Sequence, residues 1–215
     1  MNFLTKTKET IPLILIGIVL PLVGRLEMLK TWPVLVLIVF GICLNFSQPS
    51  MTLKKEAADN HDRNSLILIL VGALFCFAIP LLDFAYGVPK LIELNHSCTI
   101  LGISMIWIGF AFRYWSIQVL DRFFTTKVVI QSDHQLVRTG PYKYFRHPSY
   151  LGNWISMMGI SVLFQSMLGM VFSGVVYLMV YYYRIKCEEK ALAGMFPSEY
   201  VKYKRDTWGM LPYIF

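Results

Sequence analysis

From Ser149 to Tyr183 the chain carries no charged residue, and Ser97 to Phe112 carries none either. Ser65 to Tyr86 has one, Asp83, close to its end. Apolar blocks of this length constrain the fold more than any other feature. Lipid offers a backbone no hydrogen-bond partner, so about twenty consecutive apolar residues read as a membrane-crossing helix. Composition agrees: 56% of the 215 residues are hydrophobic and 15% are charged, less charge than a soluble domain of this size carries.

Six apolar segments can be drawn, roughly 10–24, 31–48, 65–86, 97–117, 149–164 and 168–184. The last two are nearly continuous, yet too long together for one crossing. Gln165, Ser166 and Gly169 mark a turn, which predicts a tight helical hairpin. The expected fold is therefore an all-α integral membrane protein of about six transmembrane helices. Lys6 and Lys8 before the first apolar run resemble the start of a signal peptide. Pro21, Arg25 and Glu27 follow with no small-x-small cleavage site, so that run is expected to be retained as a helix.

The basic residues give an orientation. With the N-terminus inside, the cytosolic segments hold 17 Lys and Arg, and the outer loops hold three, Arg25, Lys30 and Lys90. Arg113, at the end of the fourth apolar segment, is counted with the cytosolic set. The bias predicts six crossings with both termini cytosolic. Both long polar stretches, 118–148 and 185–215, then face soluble cofactors, and residues 97–215 hold the candidate chemistry above a plain bundle, 1–96. A bacterial plasma membrane and an endoplasmic reticulum membrane both satisfy this pattern. The net charge of +7 reports topology and anionic headgroups rather than nucleic acid. Cys43, Cys76, Cys98 and Cys187 form no C-x-x-C pair and suggest neither a disulfide framework nor a metal site.

Two clusters carry possible chemistry. The first runs from His134 to Tyr150. Gly140-Pro141 reads as a turn, and Pro148 suits the first turn of the following helix, where its missing N–H costs nothing. Ser149 and Tyr150 then stand at a helix entrance whose free N–H groups can hold a carboxylate or a polar ligand edge. A belt of Tyr, Phe, Arg and His anchoring a helix at the interface accounts for the same residues. The second cluster is Arg184 to Glu189. Arg184 and Glu188, four apart, share a helix face. Charges at that depth mark function or pair with each other, and both readings stand. The tail from Phe196 to Arg205 reads as an amphipathic interfacial segment with a structural role. Neither G-x-G-x-x-G, Walker A, H-E-x-x-H nor G-x-S-x-G occurs, which argues against Rossmann-type, phosphate-loop, zinc-protease and serine-hydrolase chemistry.

The order Gly140-Pro141-Tyr142, Arg146-His147-Pro148-Ser149-Tyr150 with Gly152, an apolar hairpin, Arg184-x-x-x-Glu188-Glu189, then Phe196-x-x-Glu199-Tyr200-x-x-Tyr203 and Pro212, closely resembles the isoprenylcysteine carboxyl methyltransferase family and the related phospholipid N-methyltransferases. The resemblance covers roughly residues 100–215. It implies a multi-helix membrane fold that uses S-adenosylmethionine from a cytosol-facing pocket. On it, His134, Gln135, Leu136, Val137, Tyr142, His147, Pro148, Ser149 and Tyr150 wrap the cofactor, and Arg184 and Glu188 lie on the substrate side. A further cofactor-contacting Gln of the family falls near Ile130 or Gln131. The implied acceptor is lipophilic, first a prenylcysteine carboxylate and second a phospholipid amine. Methyl transfer from a sulfonium is an in-line displacement that rests on positioning and desolvation and needs no metal. A carboxylate acceptor is already ionised at neutral pH, whereas an amine needs a base, for which Glu188 is the candidate. A sterol-reductase-like membrane oxidoreductase shares the helical layout, but no Arg pair suited to the NADPH 2′-phosphate stands out.

Overall fold

The computed structural model describes residues 10–12, 14–47, 60–87, 95–124 and 135–212. Among them the structure is helical, and each of the six apolar segments is matched by a helix. These are α1 (Thr10–Leu22), α2 (Trp32–Ser47), α3 (Asn60–Tyr86), α4 (His96–Leu120), α5 (Pro148–Leu163) and α6 (Met167–Met195). A seventh, α7 (Pro197–Asp206), lies in the polar tail. Three segments are long and apolar enough to cross a membrane, Ser65–Tyr86, His96–Leu120 and Met167–Met195; α1 and α2 are shorter and apolar. The helices expose Ile67, Val71, Ile100, Ile108, Leu168 and Met179 on their outer faces, as a bundle solvated by lipid does.

Local chemistry sets the helix ends. The Asn95 side chain accepts from Ser97 N at 3.0 Å to start α4, and Ser166 accepts from Gly169 N at 2.9 Å to start α6. Between α5 and α6 the chain turns at 164–166, with Gln165 in the left-handed region, φ 52°. Side chains tie α5 to α6: Trp154 Nε1 donates to Ser173 O at 2.9 Å, and the Ser161 and Ser173 hydroxyls meet at 2.8 Å. Aromatic rings fill the interior, with Phe40 facing Phe77, Trp107 and Phe110 at centroid distances of 6.2, 6.4 and 6.3 Å.

The closest helix contact is between α4 and α5. A Cβ placed on Gly152 would stand 2.6 Å from Gly109 O and 2.7 Å from Arg113 N. One placed on Gly102 would stand 2.5 Å from Leu163 N. Backbone therefore meets backbone, the close approach that small residues allow between membrane helices. Ser156 Oγ adds a hydrogen bond across the seam to Ile106 O at 2.9 Å. This contact fixes where the first turn of α5 stands.

Candidate functional site

The chain leaves the site at Pro148, turns at 164–166, and returns along α6 to Arg184, Glu188 and Glu189. Glu188 is the hub of a buried cluster. Its Oε1 accepts from Arg184 Nε at 2.8 Å and, by a short bond, from the Tyr150 hydroxyl. Its Oε2 lies 3.4 Å from His147 Nδ1. Arg184 is 2% exposed and also donates from Nη1 to Ser65 Oγ at 2.8 Å, which ties α6 to α3. The i,i+4 pair expected from the sequence is therefore present, and it is drawn into a larger network.

Glu189 organises the other side. Its Oε1 accepts from Arg146 Nε at 2.8 Å and its Oε2 from Lys204 Nζ at 2.9 Å. Arg146 Nη1 donates to the carbonyls of Lys204, at 3.2 Å, and Thr207. His147 sits between the two carboxylates, with Nε2 3.6 Å from Glu189 Oε1. That is too long for a hydrogen bond, and the buried Nε2 has no other partner. Burial alone would lower the His147 pKa, but the facing Glu188 and Glu189 carboxylates outweigh it and raise the pKa above its ordinary 6.5.

The tail holds this loop in place through the main chain. Phe145 and Trp208 form a parallel bridge, with Trp208 N to Tyr144 O at 2.9 Å, Arg146 N to Trp208 O at 2.8 Å and His147 N to Gly209 O at 3.0 Å. The Tyr203 hydroxyl donates to Tyr142 O at 2.7 Å, and burial pushes its pKa up to about 12, so it remains a donor at neutral pH. Tyr200 and Tyr203 are thus buried against the loop, where the interfacial reading of the tail had expected them among headgroups.

Of the residues expected to wrap a cofactor, Tyr142, His147, Pro148 and Ser149 are buried, and Tyr150 is half-buried against Glu188. Gly140 takes the left-handed conformation, φ 57°, and opens the turn Gly140–Lys143 as the Gly-Pro pair predicted. Gln135, Leu136 and Val137 lead into that turn outside any helix; Gln135 is exposed and the other two half-buried. His134, Ile130 and Gln131 lie outside the described residues. From His147 the rings of Tyr150 and Tyr181 stack in turn at centroid distances of 5.8 and 4.9 Å, and Tyr177 meets Tyr181 at 4.8 Å with its ring tilted. Asn153 Nδ2 donates to the Tyr181 hydroxyl at 2.6 Å and the Tyr177 hydroxyl at 3.3 Å.

The sequence reading missed Arg146, Glu189 and Lys204 as one network, because 43 residues separate the first pair in the chain. It also missed Arg113. Counted there as a flanking cation, Arg113 is only 7% exposed, and it donates from Nη1 to Ser149 O at 3.0 Å. A lone charge inside the run of α4, four residues beyond Gly109, is the signal that could have found it.

The cluster suits a zwitterionic ligand. It brings together two carboxylates, an imidazole whose Nε2 has no hydrogen-bond partner among the described residues, and a row of phenol rings. Among the described residues no group of His, Cys, Asp and Glu is arranged to hold a metal ion.

Comparison with known proteins gives the same region a context. Residues 101–194 match the sequence profile described as the isoprenylcysteine carboxyl methyltransferase (ICMT) family. The protein-S-isoprenylcysteine O-methyltransferase of Saccharomyces cerevisiae is 34% identical over 119 residues, covering 54% of this chain and 50% of the yeast protein. The chain thus spans about half the length of that relative. An uncharacterized protein of Haemophilus influenzae is 26% identical over 166 residues, covering 74% of this chain and 90% of its own. Among solved structures, the eukaryotic intramembrane Ras methyltransferase ICMT aligns with a TM-score of 0.62 at 20% identity, over 97% of this chain and 75% of that one. At that identity the likeness is one of fold.

Proposed function

We propose that the chain, whose residues 101–194 match the sequence profile of the isoprenylcysteine carboxyl methyltransferase family, is an integral membrane methyltransferase using S-adenosylmethionine and a lipophilic carboxylate acceptor. The observation that carries this reading is the buried His147–Glu188–Glu189 cluster, closed from below by Arg184 and Tyr150 and from the side by Arg146 and the tail.

S-adenosylmethionine, when bound, supplies an electrophilic methyl group on a sulfonium. The chain's own contribution is to bind, orient and exclude water. In this reading His147, Pro148, Ser149 and Tyr150 at the start of α5, with Tyr142 and Gln135, Leu136 and Val137 before it, form the cofactor cradle, and the family resemblance adds His134 to them. Glu188 turns a carboxylate toward the cationic side of the ligand, and Arg184 fixes that carboxylate and the Tyr150 hydroxyl together. Rigid support of this kind gains rate through positioning in a dry site.

A carboxylate acceptor, such as that of a prenylated cysteine, fits better than an amine. Glu188 already accepts from Arg184 and Tyr150 and faces His147, so it is poorly placed to take a proton. A carboxylate needs none removed. The Lys and Arg bias supports six crossings, with α5 and α6 as a hairpin, both termini cytosolic and the site open to the cytosol.

Calorimetry on the detergent-purified protein tests the donor. S-adenosylhomocysteine should bind and NADPH should not; absence of binding by the first sinks the reading. Radiolabelled methyl transfer to N-acetyl-S-farnesylcysteine, to phosphatidylethanolamine and to a small thiol then separates the acceptor classes.

A further inference from the structure

Three guanidinium groups are buried around the site, and two of them are neutralised. Arg146 has Glu189 and Arg184 has Glu188, each at 2.8 Å. Arg113 on α4 is equally enclosed, yet among the described residues no carboxylate lies within ion-pair distance of it. Its Nη1 is used by Ser149 O, while its Nε is buried with no partner. Among the described residues, the phenols of Tyr142, Tyr177 and Tyr181 lie within its electrostatic reach and are neutral at physiological pH. Nearby, Asn153 is also buried, with both Nδ2 bonds made and Oδ1 unpartnered.

A Cβ on Gly152 would touch Arg113 N at 2.7 Å and Arg113 Cβ at 3.0 Å, so the root of this side chain is clamped against α5 at the turn that carries Ser149 and Asn153. A buried cation held in place with no counter-charge costs several kcal/mol, and the cost is offset when an anion arrives with good hydrogen-bond geometry. A guanidinium with a free N–H is suited to a carboxylate.

We propose that Arg113 is the carboxylate-binding residue of this site, taking either the carboxylate of the methyl acceptor or the amino-acid carboxylate of the methyl donor. The proposal rests on the methyltransferase reading above. It moves the anion-binding role from Arg184, whose charge Glu188 already answers, to the one buried guanidinium among the described residues whose charge is unanswered. Ser149 O occupies Nη1 of Arg113 and leaves Nε to be answered by the ligand's carboxylate.

The experiment uses the full chain in detergent, with Arg113→Gln and Arg113→Lys. Gln keeps a donor for Ser149 O and loses the charge; Lys keeps the charge. S-adenosylhomocysteine affinity is read by calorimetry, and KM by methyl transfer to N-acetyl-S-farnesylcysteine. Arg113→Gln should weaken one of the two ligands by about ten- to a hundredfold, the worth of a hydrogen bond to a charged group, while Arg113→Lys stays within a few-fold of wild type. A rise in the S-adenosylhomocysteine Kd assigns the donor's carboxylate; a rise in acceptor KM with that Kd unchanged assigns the acceptor's. Wild-type behaviour of Arg113→Gln toward both ligands overturns the proposal, as does a loss shared equally by Gln and Lys that follows the fall in thermal midpoint. If Arg113→Gln does not fold, Arg113→Lys and wild type answer together: both should prefer one ligand over its carboxamide by about tenfold or more, and no such preference for either ligand overturns the assignment. A wild-type protein that binds no S-adenosylhomocysteine removes the methyltransferase reading itself, and this proposal with it.

Discussion

Replacing Glu189 by Gln tests whether the tail is held by buried charge. Arg146 and Glu189 are 6% and 8% exposed at their side chains, so their ion pair is shielded from water. Breaking a buried pair costs about 3–5 kcal/mol because the remaining charge is stranded. Gln retains an acceptor for Arg146 Nε, which brings the expected loss just below that range, to about 2–3 kcal/mol. In a chain of this size each kcal/mol moves the thermal midpoint by about 2–4 °C, so the fall should be about 5–10 °C. Lys204 also reaches Glu189, but its side chain is 51% exposed, and solvent screens that bond. Lys204→Met should therefore cost no more than about 1 kcal/mol, or a few degrees. The assay is intrinsic tryptophan fluorescence during heating in detergent, paired with trypsin. Arg146 should no longer hold the carbonyls of Lys204 and Thr207 firmly, so cleavage at Lys202, Lys204 and Arg205 should quicken in Glu189→Gln. A Glu189→Gln midpoint within about 2 °C of wild type, or an equal fall in Lys204→Met, refutes the argument.

Other outcomes follow from the same geometry. Gly152→Ala drives a methyl group into Gly109 O and Arg113 N and should cost about 1–3 kcal/mol, whereas Gly194→Ala, with nothing within 4 Å, should be neutral or slightly stabilising; denaturation midpoints of the two variants decide it. The folded state raises the His147 pKa above 6.5, so its contribution to stability is complete below that pH and is lost as pH rises through the higher folded value. The wild-type thermal midpoint should therefore decline from about pH 6 toward pH 9 more than that of His147→Gln, and a wild-type midpoint that rises over this interval contradicts the assignment. His147→Ala should weaken S-adenosylhomocysteine binding, while Arg184→Ala and Glu188→Ala should lower turnover more than they lower that affinity. Undiminished activity in all three would remove these residues from the site.

The parts of the site that could be read in the sequence are those made by short spacing. Arg184 and Glu188 meet because they are one helical turn apart, and the Gly140-Pro141 turn and the Pro148 helix start follow from backbone restriction alone. The six helical segments were legible because hydropathy is a property of consecutive residues. What was illegible depends on the third dimension. The Arg146–Glu189–Lys204 network joins a loop, a helix end and the tail, and no local pattern announces it. Tyr200 and Tyr203 alternate with basic residues as interfacial anchors do, and only their bonds and burial under the loop reveal another use. Arg113 stands near the end of its apolar run, so a count along the chain assigns it to the flank, while the glycine contact with α5 encloses it.

The bridge between Phe145 and Trp208 also bears on when the site can exist during synthesis. Its two strands are separated in the chain by α5, α6 and α7, so the partner of the loop is made only after all three helices. The two returning helices must be inserted, and α7 formed, before Tyr144 can accept from Trp208. Contacts this distant in sequence carry the loop-closure cost and form late. A nascent chain halted after α6 would have Glu188 and Glu189 beside His147 but no tail to clamp the loop. The clamp on the loop is thus added only after α7 has been made.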